Sequence, residues 1–198
     1  GACDGAKGEQ LPLYFDPASY ATVEAACERV IPAAEGHPGA TALGVADYID
    51  GLLGAFAVDP PRIWAGGPFS GRYGGEPSFG EFLRPSALEE LAWRTRIEGS
   101  QGLAERELNG PVTGWQQEYR DGIAALGVDF ATLPAADQDA RLDGVPEFKQ
   151  LLYEHACEGA YGAPEYGGNR DLGGWRAIGF PGDVQPRGYT DDEVRGRD

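Results

Sequence analysis

Two histidines (His37 and His155), three cysteines (Cys3, Cys27 and Cys157) and a surplus of carboxylates are the groups from which chemistry could be built. Acyl-transfer catalysis needs a histidine base beside a nucleophile on a sharp turn. No Gly-x-Ser-x-Gly turn occurs, and His37 lies in the loop Glu35-Gly36-His37-Pro38-Gly39. His155 falls on an apolar helical stripe, where a lone histidine reads as a core hydrogen-bonding group. With Glu154 and Glu158 it does not make the His-Glu-x-x-His zinc pattern, and the cysteines lack the paired short spacings of a zinc site. The acidic loops show no EF-hand spacing. Gly66-Gly67-Pro68-Phe69-Ser70-Gly71 is rich in glycine but lacks the lysine and the following helix of a phosphate loop, and no Gly-x-Gly-x-x-Gly motif is present. Asp47 with Asp50, and Asp191-Asp192-Glu193, read as solvated faces. The expectation is a chain with no catalytic, cofactor-binding or metal-ligating residue of its own.

The elements that would carry these groups are helical. Asp16 is an N-cap and Pro17 suits the first helical position, so a helix is expected from Pro17 to about Ile31, stopped by Pro32. Tyr20, Val23, Cys27, Val30 and Ile31 share one of its faces, which puts Cys27 inward as a small core residue. Val45, Tyr48, Ile49, Leu52, Leu53 and Phe56, at steps of 3, 1, 3, 1 and 3, make the cleanest amphipathic pattern, with Asp47 and Asp50 off the apolar face. Ser86 and Glu89 form a capping-box pattern, and a helix is expected from there to about Leu108. Trp115, Tyr119, Ile123 and Leu126 define another. Pro134 opens a short helix ending near Leu142, and Pro146 opens one carrying Phe148, Leu151, Leu152 and His155 on a stripe. Cys157 lies about 180° from Phe148 on that helix, so it either bridges to a partner chain or faces a second layer of the same domain. The stretch from 163 to 198 reads as loop.

The chain has 198 residues, enough for one domain with a core. We expect an all-α fold: a tail over residues 1–15, one helical domain over 16–183 with long Gly/Pro/aromatic loops, and a polar tail over 184–198. With 31 glycines and 15 prolines, those loops are extensive. Residues 57–84 have no period yet carry Trp64, Phe69, Tyr73, Phe79 and Phe82, which pack either on this domain or on a partner. The formal charge of −16 argues against nucleic acid and anionic membranes as partners, since both require positive patches. Only Lys7 and Lys149 are lysines, so the cations are nearly all arginine, the residue suited to planar bidentate contacts. No apolar run reaches the roughly 18 residues of a membrane span. The start Gly1-Ala2-Cys3-Asp4 and the absence of methionine lead to the expectation of a processed N-terminus. An odd cysteine count leaves one thiol free, bridged or lipid-modified, Cys3 being the candidate for a lipid anchor.

The specific signal is near the C-terminus: Tyr166-Gly167-Gly168-Asn169-Arg170-Asp171, followed by Gly174-Trp175-Arg176-Ala177-Ile178-Gly179-Phe180-Pro181-Gly182. It resembles the signature of the gluconate 2-dehydrogenase subunit 3 family. In the same order, Ala25-Ala26-Cys27-Glu28-Arg29-Val30-Ile31-Pro32, Gly44-Val45-Ala46-Asp47-Tyr48-Ile49-Asp50, Gln117-Glu118-Tyr119-Arg120-Asp121-Gly122-Ile123, Phe130-Ala131-Thr132-Leu133, Gln138 and His155-Ala156-Cys157-Glu158-Gly159 are similar to that family's helices. The likeness covers about residues 15–183. It implies a non-catalytic small subunit in a heterodimer with a large glucose–methanol–choline-type (GMC) flavoprotein. FAD sits in that partner, and a cytochrome c subunit often takes the electrons. The small subunit aids folding and twin-arginine export, giving an exported complex at the periplasm or cell surface. The residues expected to meet the partner are Tyr166, Gly167, Gly168, Asn169, Arg170, Trp175, Phe180, Pro181, Cys157, Trp64, Phe69 and Tyr73. Glycines permit close backbone approach, the aromatics bring apolar area with polar handles, and Asn169 and Arg170 can bond partner carbonyls. The same residues could instead seal this chain's own helices. The competing reading is a stand-alone carbohydrate-binding protein or enzyme using the aromatic loop 62–82.

Overall fold

Helix α1 (Pro17–Val30) begins where Asp16 accepts hydrogen bonds from the amides of Ala18 and Ser19, with Pro17 in the first turn. The computed structural model describes residues 12–65 and 82–180, and its secondary structure there is helical, with isolated bridges and no strand. After α1 come α2 (Ala40–Leu43), α3 (Val45–Leu53), α4 (Ala87–Glu98), α5 (Trp115–Leu126), α6 (Ala135–Asp143), α7 (Pro146–Tyr161) and α8 (Gly173–Ala177). The all-α expectation holds.

The core forms where α1, α3, α5 and α7 turn their apolar faces together. Val23 and Cys27 of α1, Ile49 and Leu53 of α3, Tyr119 and Leu126 of α5, and Leu152 and Ala156 of α7 are all buried in it. Tyr20 and Val30 pack at its edge. Helix α6 is fastened across the bundle by the bidentate pair of Arg29 with Asp139, at 2.7 and 2.8 Å. Its Gln138 donates to the Phe130 carbonyl at 3.0 Å.

Helix α4 starts as the pattern demands, with both hydrogen bonds of the Ser86/Glu89 capping box in place. It ends ten residues short of the expected Leu108, at Glu98. Gly99 takes φ +86°, outside helical space, and the chain turns back so that Gly114 crosses it. Leu88, in the first turn of α4, is 75% exposed.

Asp47 and Asp50 are not solvated. Asp50 is wholly buried and accepts the amides of Leu13, Tyr14 (3.0 Å) and Phe15 (2.9 Å). These three residues, read as part of a tail, are therefore pinned to α3, and Phe15 enters the core against Tyr119. The Asp47 side chain, 12% exposed, accepts the Tyr20 hydroxyl and pairs with Arg170. Hydropathy assigns both aspartates to water because it is blind to backbone donors and to cations that arrive from distant sequence.

Candidate docking site

The C-terminal signature folds into more than loop. Short 3-10 turns at Pro164–Tyr166 and Arg170–Leu172 lead into α8. Asn169, fully buried at φ +48°, organises them. Its Oδ1 accepts the amides of Gly174 (2.9 Å) and Trp175 (3.4 Å), and its Nδ2 donates to the Gly162 carbonyl at 2.9 Å. The side chain thus holds first-turn amides of α8 five and six residues on. With five residues, α8 is too short for hydropathy to register a period.

Contact with α7 is backbone to backbone. A Cβ on Gly168 would lie 2.0 Å from the Gly159 carbonyl oxygen, and one on Gly174 would lie 1.9 Å from that of Ala160. Trp175 is 5% exposed, and its indole N–H donates to the Tyr161 carbonyl at 2.6 Å. The Tyr161 hydroxyl meets His37 Nε2 at 2.8 Å. Arg170 reaches Asp47 and lies across Gly44, which has no side chain to obstruct it. Tyr166 accepts the Ala65 amide at 3.1 Å and takes the edge of Phe82.

The residues expected to meet a partner therefore divide. Asn169, Trp175, Gly167 and Gly168 are turned into this chain. Arg170 bonds inward through Asp47 while its side chain stays half exposed. Phe180 rests its ring on Trp175 yet is 44% exposed, and Ile178 is 56% exposed. Trp64 is 54% exposed beside Leu83, whose amide donates to the Trp64 carbonyl at 2.8 Å. Cys157 is half-buried at the core margin, and it and buried Cys27 are both unpaired thiols. Burial raises the Cys27 thiol well above its usual range, which makes it unreactive. Phe69, Tyr73 and Pro181 lie outside the described residues.

Beside this segment runs a groove that sequence reasoning missed. At one end Tyr48, Leu52, Arg62, Ile63, Trp93 and Tyr166 enclose about 290 Å³. The groove continues past Trp93 and Glu158 to Trp115, Leu151 and His155. It is assembled from five separate stretches of chain, so no local period reveals it. In its middle the Tyr48 hydroxyl donates to Glu158 Oε2 at 2.8 Å. Burial, and then the Glu158 charge, push that phenol above its ordinary range and keep it a donor. His155 lies beneath, 2% exposed, and Tyr119 stacks on it with its hydroxyl 3.1 Å from Nδ1. Burial pushes the imidazole down from 6.5 to about 4, so it is neutral at physiological pH.

Among the described residues, no group of three or more His, Cys, Asp or Glu could hold a metal ion, and no helix is long and apolar enough to cross a membrane. Fold and site together define a helical module that offers aromatic surfaces on a sealed, rigid frame. The family model for gluconate 2-dehydrogenase subunit 3 matches residues 17–182, and the chain belongs to that family. Neither the curated proteins nor the solved structures yield a match.

Proposed function

We propose that this chain is the non-catalytic accessory subunit of an FAD-dependent sugar or sugar-acid dehydrogenase. In this reading it binds the large GMC-type flavoprotein subunit, holds it in its folded form and accompanies its export. The observation that carries the proposal is the family match, which spans the helical domain and makes the chain a subunit of a dehydrogenase complex. FAD belongs to the large subunit, and a cytochrome c subunit takes the electrons where one is present. The geometry supports docking through Trp64, Leu83, Ile178 and Phe180, large apolar side chains held exposed on ordered backbone.

A subunit that binds the folded flavoprotein and not the unfolded chain stabilises it by mass action, by about 2.7 kcal/mol at a hundredfold excess over Kd. The test is co-expression of the large subunit with and without this chain. The expected result is a yellow one-to-one complex whose flavoprotein melts at higher temperature than the flavoprotein alone. A soluble flavoprotein of unchanged melting temperature, with this chain eluting alone, would refute the proposal.

A further inference from the structure

The groove between α3, α4 and α7 is unaccounted for by the C-terminal segment, and its lining has a definite chemistry. Trp93 and Trp115 stand edge to face at 6.4 Å along one wall, and Leu52 and Tyr48 of α3 form the other. Glu154 and Glu158 of α7 follow one another along the groove, one helical turn or about 6 Å apart. Both are exposed. Glu158 accepts the Tyr48 hydroxyl through one oxygen and Glu154 accepts the Gln150 amide through one oxygen. No ion pair reaches either carboxylate among the described residues. Two arginines also line the groove, Arg62 at the end near Tyr166 and Arg96, which lies over the Trp115 ring at 5.0 Å, and neither forms an ion pair with Glu154 or Glu158.

An apolar aromatic trough edged by two carboxylates in a chain of net charge −16 is complementary to a segment that is apolar and basic. Arginine fits best: its stem and guanidinium plane stack on tryptophan, and its fork binds a carboxylate through two hydrogen bonds. The geometry points to this groove as the seat of a segment of the flavoprotein subunit in which an aromatic or aliphatic anchor stands next to arginine. The anchor enters the enclosed end between Tyr48, Trp93 and Tyr166, and the arginine lies along Glu158 and Glu154. This inference rests on the accessory-subunit reading and goes further, naming the surface and the chemistry of what it receives.

The test measures affinity between the purified flavoprotein subunit and three forms of this chain: wild type, E154Q/E158Q and E154K/E158K. Both glutamates are exposed on the surface of α7, and unchanged circular dichroism checks that the variants fold. The expected result is graded, with Kd rising about tenfold for the neutral pair and about a hundredfold for the reversed pair. Wild-type affinity should fall with added salt more steeply than that of the neutral pair. W93A should weaken binding at every salt concentration. If wild type binds and the charge variants bind equally well, the groove is not the seat and the inference is overturned while the accessory-subunit reading stands. If wild type fails to bind, both fall together. Saturable quenching of tryptophan fluorescence by glucose or gluconate in the lone chain, lost in W93A, would overturn the inference in favour of a sugar site.

Discussion

Lowering the pH should loosen the core from the inside, starting at His155. The ring is 2% exposed, stacked on Tyr119 at an interplanar angle of 1° and met edge-on by Trp115 at 4.6 Å. Burial holds its pKa near 4, against 6.5 for a free side chain. The folded state therefore resists the proton that the unfolded chain accepts, so stability falls as pH falls. His155 costs nothing above about pH 7, and its penalty grows between 6.5 and 4. Integrating over that window gives a loss of about 2 kcal/mol by pH 5 and about 3 kcal/mol by pH 4. Many carboxylates titrate at the acid end of the same range, so the measurement must be a difference. Urea unfolding of wild type and His155→Gln at about pH 7.5, 6 and 5 supplies it. The glutamine variant should start less stable, by about 1–2 kcal/mol for the lost ring packing and hydrogen bond. From there to pH 5 it should lose about 2 kcal/mol less than wild type, so the two curves converge. Parallel curves would refute the reasoning, because they would mean the imidazole gains its proton as easily folded as unfolded.

Three further perturbations address other parts of the frame. Asp50→Ala removes the acceptor of three amides at a fully buried site and should cost about 3 kcal/mol or more by urea denaturation, with residues before Pro17 becoming sensitive to protease. Gly174→Ala puts a methyl group on the Ala160 carbonyl and should cost about 2–3 kcal/mol, with Trp175 fluorescence shifting to the red as the segment lifts from α7. Ser86→Ala breaks the capping box and should cost about 1 kcal/mol, read as a small drop in melting temperature with the helix content of the remainder intact.

The helices were legible wherever the signal was local. Asp16 with Pro17 and the repeat through Tyr48 each named an element that exists close to its expected bounds, and Ser86 with Glu89 named the start of α4 though not its end. His155 was likewise readable as a core hydrogen-bonding group from its neighbours on the stripe. What escaped was set by non-local partners. Asp50 looks solvated until three amides from the preceding segment arrive. Helix α4 looks long until the crossing of Gly99 and Gly114 is known. The groove exists only once α3, α4 and α7 have met. For the C-terminal signature the residue types were informative and their direction was not: nothing in the order of Asn169 and Trp175 says that they face inward while Phe180 remains at the surface.

Asn169, Asp171 and Leu172 have φ of +48°, +54° and +58°, so three of four successive residues sit in left-handed space without being glycine. Each is disfavoured by about 1 kcal/mol or more in an isolated chain, most of all the leucine. The segment has no conformational reason to adopt this shape before the surface of α3 and α7 exists to impose it. We predict that in kinetic terms it joins late, after the helices have assembled. Weakening its contacts should hasten unfolding and leave the folding rate almost untouched. On that prediction Phe180 and Ile178, which ride on this segment, take their places only once the helices have assembled, and a partner that bound them would select the finished subunit.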